Sequence, residues 1–134
     1  MTIEREATCT CGQLKAMCRG EPAKVSLCHC IDCQRRTGSA FSIAAFYLKP
    51  DMTPSGESRV YSRDADSGYG IDFHFCPNCG GTLFWYPARM PELVAVAPGG
   101  FGDPDFPAPV QAVYQHRAMP WARDIVPGKQ EAPT

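Results

Sequence analysis

No stretch of this 134-residue chain approaches the roughly 18 apolar residues that a membrane-spanning helix needs. Met1 to Thr8 holds Glu4, Arg5 and Glu6 and no apolar run, so it does not read as a secretory signal. An excess of positive charge is also lacking, because the formal net charge is −1. A surface that binds nucleic acid neutralises phosphates with lysine and arginine, so this balance argues against such a partner. Long helices are disfavoured by thirteen prolines and twelve glycines, which suit many short strands. There is no internal repeat beyond the cysteine motifs and no boundary between domains. The length fits one domain, expected over residues 1–126, with 127–134 as a flexible tail.

Cysteine is what the chain has in quantity. Seven of its eight cysteines fall in three clusters: Cys9-Thr10-Cys11-Gly12, Cys28-His29-Cys30-Ile31-Asp32-Cys33 and Cys76-Pro77-Asn78-Cys79-Gly80-Gly81. With no signal or membrane segment expected, the compartment is expected to be the cytosol. Thiols stay reduced there, and clustered cysteines read as metal ligands rather than disulfides. Zinc takes four ligands at about 2.3 Å from sulfur. Two pairs close one site, while a triplet leaves a position open. The arithmetic of two, three and two therefore points to one structural zinc and one open zinc. Seven thiolates on two zinc ions would carry the net charge from −1 to about −4.

Cys76-Pro77-Asn78-Cys79-Gly80 is the strongest signal, a zinc knuckle whose tight turn aims both sulfurs at one point. A redox pair is the competing reading, but such motifs open a helix in a βαβ unit, and this one is flanked by strand patterns. Cys9 and Cys11 gain meaning from the second pair downstream. In an extended chain residues i and i+2 share a face, so Thr10 points away. By the same geometry Cys28 and Cys30 face together, a turn brings in Cys33, and His29 points to the opposite side as a packed or hydrogen-bonded residue. The fourth position of that site can hold water or a substrate thiol. It can equally be filled by a protein ligand, with Cys18, His74, His116 and Asp32 as candidates. Arg35 and Arg36 follow at once and can offset thiolate charge or bind a carboxylate. Cys18, alone on the apolar face of its strand, reads as a small buried hydrophobe.

Strands are expected at Gln13 to Arg19 and Lys24 to Leu27, joined as a hairpin, with a helical turn over Asp32 to Thr37 capped by Gly38. Further strands are expected at Phe41 to Leu48, Ser58 to Ser62, Tyr69 to Phe75, Thr82 to Tyr86, Leu93 to Ala97 and Gln111 to Tyr114. The segments Lys49 to Gly56 and Gly99 to Pro109 read as loops.

These clusters, in this order, resemble the glutathione-dependent formaldehyde-activating enzyme family, whose domain is shared with centromere protein V. The resemblance runs from about Cys9 to Trp121. It rests on CTCG at Cys9, CHCIDCQRRTGSAF at Cys28, GESRVY at Gly56, FCPNCGGTLF at Phe75 and PWA at Pro120. It implies a mainly β fold of small antiparallel sheets built around zinc knuckles, similar to methionine sulfoxide reductase B and the Rab-associated zinc chaperones. It also implies a structural zinc at Cys9, Cys11, Cys76 and Cys79 and a second, more labile zinc at Cys28, Cys30 and Cys33. The implied reaction is that of a zinc-dependent carbon–sulfur lyase or synthase. It would join a thiol such as glutathione to a small aldehyde, as in S-hydroxymethylglutathione formation, with Arg35 or Arg36 on a glutathione carboxylate. The rival expectation is a non-catalytic zinc scaffold that binds a partner protein or a thiol.

Overall fold

A computed structural model describes residues 2–126, so the tail expected at 127–134 lies outside the described residues. Among the described residues, ten strands and one α-helix make up the frame. They are β1 (Glu4–Thr8), β2 (Lys15–Arg19), β3 (Lys24–Cys28), α1 (Ile31–Thr37), β4 (Ser42–Leu48), β5 (Met52–Ser55), β6 (Arg59–Asp64), β7 (Gly70–Phe75), β8 (Thr82–Pro87), β9 (Leu93–Val96) and β10 (Gln111–Val113). β1, β2 and β5 form a three-stranded sheet, and the other seven form a sheet in the order β10-β3-β4-β9-β8-β7-β6. The fold is mainly β, as expected. Every pair is antiparallel except β10 with β3, which run parallel. Among the described residues no helix is long and apolar enough to cross a membrane.

In the large sheet the period-two alternation of the strands decides what each face does. On β4, Ala45 and Tyr47 join Val25, Leu83, Val94 and Val96 in the main core. Ala7, Ala16 and Cys18 of the three-stranded sheet close that core from the other side. The alternate residues Ser42, Ala44 and Phe46 face the opposite way. There, with Ile71 and Phe73 of β7 and Trp85 of β8, they line a cavity.

Two expectations need correction. β2 and β3 do not form a hairpin. β2 pairs with β1 and β5, whereas β3 pairs with β4 and β10. The chain crosses between layers at Gly20, whose φ of +79° a glycine adopts without strain. A hairpin would have kept Ala16 and Cys18 in the large sheet instead of bringing them over it as a second layer. The stretch from Lys49 to Gly56 is not loop throughout. A 3₁₀ turn at Lys49–Asp51 leads into β5, whose Pro54 is tolerated because β5 is an edge strand. β1 was not expected either, since EREAT has only one buried residue, Ala7.

Candidate metal centres

The turn after β1 carries Cys9 and Cys11, and the β7–β8 turn carries Cys76 and Cys79. The first closes with Gly12 N–H donating to the Cys9 carbonyl at 3.0 Å. This pair is therefore presented by a tight turn, not by the extended chain that the spacing suggested. The second turn closes with Gly80 N–H on the Cys76 carbonyl at 2.8 Å and Cys76 N–H on the Gly81 carbonyl at 2.9 Å. Gly80 sits at φ +81°, the left-handed region that glycine enters freely. All four sulfurs lie within 4.8 Å of one another. Cys9 to Cys11 and Cys11 to Cys76 are each 3.6 Å apart. Sulfurs bound 2.3 Å from one ion in a tetrahedron lie about 3.8 Å apart, so the spacing fits zinc.

Hydrogen bonds to these sulfurs favour the thiolate that a metal requires. Leu14 N–H donates to Cys9 Sγ at 3.3 Å, Asn78 N–H to Cys76 Sγ at 3.3 Å, and the Gln13 side-chain amide to Cys76 Sγ at 3.0 Å. Burial pushes the Cys76 thiol up, but donation from Gln13, Cys79 and Asn78 outweighs it and brings the thiol down to about 6.

The second cluster is built differently. Cys28 ends β3, Cys30 is the N-cap of α1, and Cys33 lies in its first turn. Cys30 Sγ accepts the Cys33 N–H at 3.3 Å, as a capping side chain does. Gly38 ends the helix in the left-handed conformation, as its sequence position suggested. All three cysteines are buried and their sulfurs lie within 4.8 Å of one another. The Cys28 and Cys33 thiols hold Cys30 well below the usual thiol range by hydrogen bonding to it. Those bonds and burial push Cys28 up.

Among the described residues, no further histidine, cysteine or carboxylate atom joins this triplet. Cys18 is fully buried in the main core, where desolvation pushes it up to about 12, so it is the small hydrophobe expected. His74 shares a 2.9 Å hydrogen bond with Ser58 and stacks on Phe84. His116 lies 6.0 Å from the Tyr114 ring, centre to centre. The Asp32 carboxylate is 3.4 Å from Arg63. His29 is buried with its ring edge-on to Phe41, the packed role its position suggested.

A cavity of about 50 Å³ opens on the triplet, with Cys28, Cys30 and Cys33 in its wall. Arg36 lines it and Arg35 does not. Arg35 lies outside, in a groove with Ile31, Met119 and Trp121. The Arg36 guanidinium is anchored by a 2.6 Å hydrogen bond to Ser42 Oγ and lies 4.5 Å from the Trp85 ring and 4.8 Å from Phe73. Its Nε–H is buried with no hydrogen-bond partner in the protein. Burial lowers the Arg36 pKa below its ordinary value, and the Cys33 sulfur works against that.

Sequence reasoning missed Arg63, Trp85 and Tyr114. Arg63 reaches the same cavity from β6, 5.2 Å from the Phe73 ring. Tyr114 lines it from the end of β10 at φ +57°. Apart from glycines it is alone in this region among the described residues, a conformation rare for a bulky side chain. Nothing in the local sequence signals any of the three roles, because all depend on strands distant in sequence from the triplet.

The fold and these two sites define a small β-rich domain with one four-thiol cluster and one three-thiol cluster that faces a cavity. The chain belongs to the glutathione-dependent formaldehyde-activating enzyme family, whose model matches residues 4–117. No curated protein matches it. A crystal structure of a Rhodobacter sphaeroides protein is similar in fold, with a TM-score of 0.56 and 22% identity over 71% of this chain and 85% of that one.

Proposed function

We propose that this domain is a carbon–sulfur lyase or synthase. It would join a thiol such as glutathione to a small aldehyde in the cytosol, with zinc at both cysteine clusters. The observation that carries this reading is the convergence of Cys28, Cys30 and Cys33 on a cavity that also receives Arg36 and Arg63. Cys9, Cys11, Cys76 and Cys79 would close the structural site. A zinc ion on the triplet would keep a bound substrate thiol deprotonated at neutral pH.

The chain's own residues do the rest. Arg36, held by Ser42 and flanked by Trp85 and Phe73, presents donors to the aldehyde oxygen beside the sulfurs. As the substrate sulfur attacks the carbonyl carbon, the C=O π pair moves onto oxygen. Arg36 stabilises that charge until the oxygen takes a proton. Arg63, close to the exposed Asp32 carboxylate, binds a glutathione carboxylate.

Metal analysis followed by calorimetry with glutathione tests the reading. Two zinc ions per chain are expected, with binding heat that Cys30→Ser abolishes. Arg63→Ala is expected to weaken binding tenfold or more, the scale of one charged hydrogen bond, about 1.5–3 kcal/mol. Arg35→Ala serves as the outer-face control and is expected to change binding little. With both zinc ions present, no heat at millimolar glutathione would favour a non-catalytic scaffold.

A further inference from the structure

Cys30-Ile31-Asp32-Cys33 is one of two C-x-x-C motifs in the chain, and unlike Cys76-Pro77-Asn78-Cys79 it opens a helix. From that placement we infer that Cys30 and Cys33 are a peroxide-sensitive pair. Hydrogen peroxide converts them to a reversible disulfide, and the triplet then ceases to be a metal site. The inference rests on the reading of the triplet as a metal site, not on the reaction proposed above.

The first turn of α1 sets the spacing of the pair. Gln34 N–H donates to the Cys30 carbonyl at 3.0 Å, so the turn between the two cysteines is closed. Cα atoms three residues apart in such a turn lie about 5 Å from one another. A disulfide spans about 4.4–6.8 Å between Cα atoms, so the backbone need not move to bridge the pair. Cys33 N–H donates to Cys30 Sγ at 3.3 Å, which holds that sulfur over the turn on the side of Cys33. The two sulfurs lie within 4.8 Å of each other. Cys28 stands outside the turn, at the end of β3.

Both residues line the cavity of about 50 Å³. A water molecule needs roughly 10–15 Å³ of such space, so a molecule of two oxygens fits. The step balances with peroxide as the only co-reactant. One sulfur of the pair attacks a peroxide oxygen, the O–O bond breaks, and a sulfenic acid and one water result. The other sulfur then attacks the first, the S–O bond breaks, and a second water leaves with the remaining thiol proton. Two thiols are oxidised and one peroxide is reduced to water. A sulfur in a disulfide offers no thiolate to a metal, so only Cys28 remains to hold an ion there.

The other C-x-x-C pair is placed differently. It lies in a turn between β7 and β8, and its sulfurs belong to a set of four drawn from both sheets. A bridge between Cys76 and Cys79 would open that set.

Treating the zinc-loaded protein with hydrogen peroxide tests the inference. Zinc release is followed with a chromogenic chelator, and disulfides by mass spectrometry after free thiols are blocked. Cleavage of the unfolded chain before Asp32 separates Cys30 from Cys33, so only a bridge keeps those fragments together. The expected result is one zinc equivalent released per bridge between them, with Cys9, Cys11, Cys76 and Cys79 still reduced. Dithiothreitol is expected to reverse the bridge. Cys28→Ser is expected to keep it, which assigns it to Cys30 and Cys33, and Cys33→Ser to lose it. A bridge lost in Cys28→Ser, a first bridge at Cys76 and Cys79, or oxidation of the triplet without any bridge would overturn the inference. None of these readouts involves glutathione or an aldehyde, so the proposed reaction stands or falls separately.

Discussion

Gly56 shows how tightly single positions are specified. Its φ is +90°, and a Cβ there would overlap the Gln13 carbonyl oxygen. Close approach is needed because Gln13 joins the segment before β6 to the four-cysteine cluster. Its side-chain amide donates to the Glu57 carbonyl at 2.6 Å and to Cys76 Sγ at 3.0 Å, and its side-chain oxygen accepts the Glu57 N–H at 2.9 Å. Gly56→Ala combines backbone strain with a clash against main chain, and should destabilise the zinc-loaded protein by about 2 kcal/mol or more. Urea unfolding monitored by far-UV circular dichroism measures this. An unchanged midpoint would show that the Gln13 contact gives way freely.

At the scale of the element, α1 and its approach hold the whole triplet in one short stretch, from the end of β3 to the first helical turn. Loss of a metal there should disturb little beyond that stretch. Cys30→Ser removes a thiolate but keeps a hydroxyl at the N-cap, where serine is among the preferred residues. The variant is expected to bind one zinc where the parent binds two, with an unchanged sheet spectrum. Mild chelation of the parent should likewise release one equivalent first. Release of both in one cooperative step would tell against separate roles for the two clusters.

For the molecule as a whole, the four-cysteine cluster joins the layers. Cys9 and Cys11 follow a strand of the three-stranded sheet, while Cys76 and Cys79 lie between two strands of the large one. Cys9 and Cys76 are themselves part of the core between the sheets. Structural zinc contributes on the order of 10 kcal/mol, comparable to the stability of an entire domain. Cys76→Ser is therefore expected to be insoluble or unfolded at 25 °C, as judged by solubility on expression and by thermal melting. A soluble variant with the parent's melting temperature would remove the structural role from this cluster.

The sequence by itself determined the β-rich class, the two thiol clusters, the C-cap at Gly38 and the burial of Cys18 and His29. These depend on spacing over a few residues, where backbone geometry leaves few choices. It did not show β1, β5, the separate sheets of β2 and β3, or the places of Arg63 and Tyr114 in the cavity wall. Arg35 and Arg36 are adjacent and chemically identical, and only their angles around α1 separate an exposed groove from a cavity. Which strand lies beside which is decided by burial across the whole chain, so the tertiary structure alone brings β4, β6, β7, β8 and β10 around the three sulfurs.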